Sequence, residues 1–318
     1  MPHIDANGVN LYYERVGPET GPETRNEVGK TVLLIHGLAT PMNAWPKAMV
    51  AMLVDSGFNV IRFDNRDVGL SEKMSDLGKA NIPLMMVGYK FGFKLIPPYT
   101  IQDMADDALA LLDALNIESA AVVGASMGGM IAQRIAACAP ERVASLCSIM
   151  SSSGAPGLPP ARKHVLDLLY SSPSPHKRGE SLEHSYMFWR AIGSKTYPEP
   201  EGKLRQFLAD LADWGTPSAN GGSRHFAAIY ADRERYKALA SIKVPTLVIH
   251  GLEDTLVPPA CGQDTASRIK DARFMAVEGM GHDFPALLIA PITQAVIRHI
   301  QRGSSAPKTL KKTLELVL

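Results

Sequence analysis

The sequence predicts an α/β fold: a mostly parallel central sheet, helices on both faces and an inserted helical cap. Three observations carry that expectation. Short apolar runs suited to buried strands alternate with stretches of helical periodicity, the pattern of a sheet covered on both faces. One such run, Ala120-Ala121-Val122-Val123, leads into Gly124-Ala125-Ser126-Met127-Gly128 and then straight into small, helix-forming residues. The notable polar residues, His36, Asp64, Ser126, Asp254 and His282, each fall just past the carboxyl end of an expected strand, where sheets of this class bind ligands.

In chain order, residues 3–16 read as a hairpin. Asn7-Gly8 is a two-residue turn signal, and Val9, Leu11 and Tyr13 alternate with polar neighbours. Residues 17–30 are polar, with Gly-Pro-Glu-Thr twice in succession, and are expected as a solvated loop. Thr31 to Gly37 is an apolar run ending in Gly, suited to a strand buried on both faces. A helix is expected around Lys47–Asp55, a strand over Asn59–Phe63 and a turn-rich segment over Asp64–Ser71. Residues 101–117 carry apolar positions at Met104, Ala108, Leu111, Leu112 and Leu115 with acids early, which is a helix packed on one face. After the helix over 127–138 come strands at Val143–Met150, Thr246–His250 and Arg273–Val277, with helices near 261–269 and 286–301. Two stretches break the alternation, 72–100 and 151–240, and insertions of such length in a compact domain are usually functional. The expected organisation is therefore a core of 1–150 and 241–303, a helical cap or lid over 151–240, a further lid-like insertion over 72–100 and a tail over 304–318. In that tail Leu310, Leu314 and Val317 lie at helical spacing.

Composition narrows the function. At 46% hydrophobic and 20% charged residues, the 318-residue chain has the balance of an ordinary soluble domain with a sizeable core. A net charge of +1 without a long basic run leaves no electrostatic footprint for nucleic acid. Cys138, Cys147 and Cys261 are odd in number and widely spaced, match no disulfide framework or zinc pattern, and are expected as buried thiols in a reducing compartment. The first residues, Met1-Pro2-His3-Ile4-Asp5, lack a signal-peptide core, and no run approaches the ~20 apolar residues of a spanning helix. A cytoplasmic location is the expectation. No metal-ligand spacing or phosphate-loop pattern is present, so no cofactor is expected.

Gly-x-Ser-x-Gly between a strand and a helix places its Ser on a sharp turn, hydroxyl outward, with the helix N-terminus aimed at the same spot. A neutral hydroxyl is a poor nucleophile; it needs a base, and the base needs an orienting carboxylate. Both follow in order. His250-Gly251-Leu252-Glu253-Asp254 puts acids just past a strand, with Asp254 favoured over Glu253, and Gly281-His282 lies in a glycine-flanked loop past the last strand.

On these residues, the His36-Gly37 strand end, the Ser126 elbow, Gly251-x-x-Asp254 and Gly281-His282, the chain resembles the α/β-hydrolases over nearly its whole length. Among them it is most similar to serine esterases and methylesterases, which carry an Asp-x-Arg-x-x-Gly-x-Ser segment seen here as Asp64 to Ser71, with Asp67 where many relatives have Gly. The resemblance implies that Ser126 is the nucleophile, His282 the base, Asp254 its partner, and the Met127 and Leu38 amides the oxyanion hole. It implies hydrolysis of carboxylic esters with short to medium acyl chains, or of small methyl esters, through an acyl-enzyme. Lipase, thioesterase, carbon–carbon bond hydrolase and cofactor-free perhydrolase chemistry share that machinery, and a non-catalytic ligand-binding protein shares the fold. His36 is expected to shape its loop, and His164, His176, His184, His225 and His299 to be solvated. The partner is expected to be a small-molecule ester. Met85, Met86, Phe91, Phe93 and Leu95 leave room for a weak membrane-surface contact but no span, and the oligomeric state is open.

Overall fold

At the N-terminal hairpin Asn7 and Gly8 both take positive φ, 57° and 70°, the backbone of the tight turn that matches strand twist. The turn joins β1 (His3–Ala6) to β2 (Val9–Val16). The computed structural model describes residues 2–17, 30–91, 93, 96–171, 178–215, 218, 220–303 and 314–317. Beyond β2 the described chain alternates strand and helix: β3 (Thr31–Ile35), α1 (Lys47–Asp55), β4 (Asn59–Phe63), α2 (Ile82–Lys90), α3 (Ile101–Ala114), β5 (Ala120–Ala125), α4 (Met127–Cys138) and β6 (Val143–Ile149). An inserted helical region follows: α5 (Lys163–Tyr170), α6 (Arg178–Ile192), α7 (Glu201–Ala212), α8 (Gly221–Ala231) and α9 (Arg235–Ala238). The alternation then resumes through β7 (Thr246–Gly251), α10 (Pro259–Arg268), β8 (Arg273–Val277) and α11 (Ala286–Gly303).

With β9 (Leu314–Val317), the strands form one sheet in the order β1-β2-β4-β3-β5-β6-β7-β8-β9, antiparallel at β1, β2 and β4 and parallel from β4 onward. β3, β5 and β7 are buried along their whole length, which is why they read as continuous apolar runs rather than alternating ones. Two apolar layers flank the sheet. One packs α3 and α4 against residues such as Leu33, Ile61 and Val122; the other packs α1 and α11 against Leu34, Val123 and Ile249. Thr100 caps α3 with a reciprocal pair, its side chain accepting from the Asp103 amide while Asp103 accepts from the Thr100 amide.

Several expectations need correction. In the tail, Leu314 and Val317 stand at helical spacing, yet Leu314–Val317 form β9, paired in parallel with β8; a free sheet edge offers backbone partners that a short isolated helix does not have. Insertion 72–100 contains α2. His225 and His299 are buried, not solvated; each hydrogen-bonds a backbone carbonyl, and burial pushes each down to about 4, so both are neutral. Cys147 and Cys261 are buried, but Cys138 is exposed at the end of α4. His164 is exposed and His184 is half-buried. Residues 18–29, His176, the side chains of Met86 and Leu95, and Leu310 lie outside the described residues. Phe91 and Phe93 are exposed. No helix among the described residues is long and apolar enough to cross a membrane.

Asp67, the departure from the esterase pattern, does more than alter a turn. It has φ 69° and a fully buried carboxylate, which Arg224 of α8 holds with two hydrogen bonds of 2.5 and 2.8 Å and Tyr99 with one of 2.7 Å. Burial raises this carboxyl, but the Arg224 and Tyr99 bonds outweigh that and leave it below its ordinary value. The pair ties the inserted helices to the loop after β4. Removing one member of a buried pair strands the other charge, at a cost of about 3–5 kcal/mol. Arg224→Met is expected to lower the unfolding free energy by about that much in urea titration. The double variant Arg224→Met/Asp67→Gly should recover most of the loss; equal destabilisation of the two would contradict the assignment.

Candidate active site

Ser126 stands where β5 turns into α4, with φ 56° and ψ −121°, a region that a residue with a Cβ seldom adopts. The turn is held from several sides. The Ser126 amide donates to the Ile149 carbonyl at 2.9 Å, and the Ser151 hydroxyl donates to the Ser126 carbonyl at 2.7 Å. The flanking glycines make it possible. A Cβ on Gly124 would stand 2.1 Å from the Gly128 carbonyl oxygen, and one on Gly128 would stand 2.0 Å from that of Ile35. No side chain fits at either position.

His282 lies in the loop after β8. Its Nε2 is 3.0 Å from Ser126 Oγ and its Nδ1 is 2.7 Å from Asp254 Oδ2. Asp254, past the end of β7, also accepts the Leu256 and Val257 amides at 2.9 and 2.8 Å. Burial works against its charge, but His282 and the bonds from His282 and His250 prevail and hold the carboxyl at about 2. An ionised Asp254 accepts only, so Nδ1 of His282 carries the proton and Nε2 presents a lone pair to the Ser126 hydroxyl. The neighbouring Glu253 turns away and accepts the Lys195 and Thr196 amides at 2.7 and 3.1 Å.

Leu38 and Met127 flank the same spot. Met127 opens α4, where first-turn amides have no acceptor within the helix. Leu38 follows Gly37, whose Cβ position would be 3.1 Å from the Ser126 Cβ. No described residue accepts from either amide. His36 packs edge-on against Trp45 at 5.2 Å, accepts the Gly37 amide at 2.7 Å, and is pushed down to about 3 by burial and the nearby His282. That is the loop-shaping position expected from the sequence.

Above Ser126 lies a cavity of ≈ 1160 Å³, lined by Trp45 and Phe284 from the core and by Phe188, Phe207, Trp214 and Phe226 from the inserted region. Segment 192–196 grips the site from the inserted side. The His282 amide donates to the Ile192 carbonyl at 2.8 Å, the Gly281 amide to the Ser194 hydroxyl at 2.7 Å, and that hydroxyl to Asp283 at 2.5 Å. Among the described residues no group of three His, Cys, Asp or Glu side chains could hold a metal ion.

Sequence reasoning missed His250. It is fully buried in β7, with Nε2 2.8 Å from the Val257 carbonyl and 3.4 Å from Asp254. A His inside an otherwise apolar strand had to find a partner, and that was the available signal. Nothing local in the sequence pointed to Ser194.

A buried parallel sheet with a serine on a strand-to-helix turn, an acid and a histidine past the ends of β7 and β8, and an apolar cavity above them defines an α/β hydrolase. The family model described as "alpha/beta hydrolase fold" matches residues 30–285, and the chain belongs to that family. It is similar to rhodomycin D methylesterase DauP of Streptomyces sp. (strain C5), 29% identical over 324 residues that span 95% of this chain and 98% of that protein. The bifunctional esterase/perhydrolase DCH of Acinetobacter calcoaceticus is 22% identical over 311 residues, 93% of this chain and 97% of that protein. Among solved structures, the enol-lactonase from Burkholderia xenovorans LB400 superposes with a TM-score of 0.70 at 23% identity, covering 94% of this chain and all of that one, a likeness of fold.

Strained backbone of the kind seen at Ser126 costs on the order of 1–3 kcal/mol. Ser126→Gly is therefore expected to melt higher than wild type, by roughly 1–2 °C per kcal/mol released. Ser126→Ala, which keeps the Cβ, should gain less. A Gly variant no more stable than the Ala variant would contradict stored strain at the turn.

Proposed function

We propose that this protein is a serine hydrolase of carboxylic esters. The observation that carries the reading is the unbroken hydrogen-bonded line Ser126–His282–Asp254 at the floor of an apolar cavity. Ser126 Oγ attacks the ester carbonyl carbon as its proton passes to His282 Nε2. Asp254, already ionised, stabilises the imidazolium that forms. The oxyanion of the tetrahedral intermediate takes hydrogen bonds from the Met127 and Leu38 amides. The intermediate collapses, His282 protonates the departing alcohol, and an acyl group remains on Ser126. Water, deprotonated by His282, then releases the acid and restores the serine.

We take residues 151–240 as the cap of this site, with the core formed by 1–150 and 241–303. The acyl range is short to medium chains or small methyl esters. The relatives' names, methylesterase and esterase/perhydrolase, support ester chemistry without defining the acid. The cavity, somewhat above the ~300–1,000 Å³ usual for small-ligand sites, has room for such an ester.

Hydrolysis of p-nitrophenyl esters from acetate to palmitate, and of methyl esters of aromatic acids, tests this reading. Wild type is expected to turn over part of the panel, and Ser126→Ala to fall by at least about 10⁴-fold. Equal rates in the two proteins would remove Ser126 from the mechanism, and a palmitate optimum would move the assignment to a lipase.

A further inference from the structure

We propose that His225, on the inserted helix α8, is a positioning residue that sets the oxyanion turn of the core. Its Nδ1 accepts the Ala39 amide proton at 3.1 Å, and its Nε2 lies 2.8 Å from the Arg66 carbonyl oxygen. One proton placement satisfies both. The Ala39 N–H needs a lone pair at Nδ1, so the hydrogen sits on Nε2 and is donated to Arg66. The ring is fully buried beneath Tyr99, 6.1 Å between centroids, and burial favours this neutral form.

Ala39 immediately follows Leu38, whose amide is assigned above to the oxyanion; the inference rests on that reading of the site. The turn has an unusual backbone that needs holding: Ala39 has φ 51°, a left-handed conformation that a Cβ disfavours. Before the turn, Asn65 donates to the His36 carbonyl at 3.1 Å; after it, the Met42 amide donates to Asp64 at 2.7 Å. Within it, the Thr40 hydroxyl donates to the Leu38 carbonyl at 2.9 Å. His225 supplies the hold on the Ala39 amide, and it comes from across the cavity. The next residue of α8, Phe226, and Ile229 one turn on both line that cavity. The helix that lines the cavity therefore also orients the peptide bearing a proposed oxyanion donor, and the geometry couples cap seating to the chemical step.

Two isosteres separate the two bonds. Asn places an amide oxygen near the Nδ1 position and keeps the acceptor for Ala39; Gln reaches the Nε2 position and keeps only the donor to Arg66. In the full-length protein, His225→Gln is expected to lose kcat by ~10²-fold, the scale of losing one oxyanion donor, with KM within about twofold and a melting temperature near wild type. His225→Asn should stay within roughly tenfold of wild-type kcat, well above the Gln variant. Hydrogen exchange at residues 37–40, read without turnover, should quicken in the Gln variant and not in the Asn variant. If Gln preserves kcat and exchange while Asn loses them, His225 serves Arg66 alone and the inference falls. It also falls if both variants lose kcat in step with stability. A wild type that hydrolyses no ester would overturn the proposed function, and the exchange measurement would still decide whether His225 holds the turn.

Discussion

The backbone of Ser126, bent to positive φ between β5 and α4, is the constraint on which the rest of the structure depends. An isolated peptide would relax out of it. Here the parallel pairing of β5 with β3 and β6 fixes one arm, and α4 packed on the sheet fixes the other. The two arms touch backbone to backbone at Gly124 and Gly128, so the turn has nowhere to open. Local strain is maintained by burial elsewhere, and what it yields is a hydroxyl held out above the sheet beside the first amides of a helix.

Buried charge is distributed with the same economy. Asp254 stays ionised because amides and imidazoles surround it, not because it reaches water. Asp64 and Asp67, on the loop after β4, serve a different end. Asp64 accepts Met42 and Leu70 amides and the Trp214 indole, while Asp67 holds Arg224 and Tyr99. Burial pushes Asp64 up, more than these bonds bring it down, whereas Asp67 is kept low by its guanidinium. Together with Ser194 and Glu253 at the opposite rim, these contacts pin the inserted helices over the site at both ends. The cavity is thus built jointly, with its floor from strand ends and its aromatic roof from the insertion.

Much of this was legible in the sequence, and the boundary is instructive. Strands read clearly where burial on both faces made them uniformly apolar, and helices where one face alternated. The elbow, the acid and the histidine could be located because each sits at a strand end marked by glycine. What stayed hidden depends on partners distant in the chain. Asp67 and Arg224 are 157 residues apart, and nothing near either announces the other. His225 looked like a solvated histidine because its partners, Ala39 and Arg66, are contributed as backbone, which leaves no side-chain signature. Leu314–Val317 carried helical spacing by coincidence; the open edge of β8 decided their conformation.

The central claim is that Ser126 is an activated nucleophile that carries the acyl group. Intact-mass and peptide mass spectrometry after rapid quenching of a p-nitrophenyl ester reaction tests it most directly. The account predicts a burst of at most one p-nitrophenolate per chain and an acyl adduct on the peptide containing Ser126. Steady turnover with the adduct on another residue, or with Ser126 still reactive and unmodified after the burst, would contradict it.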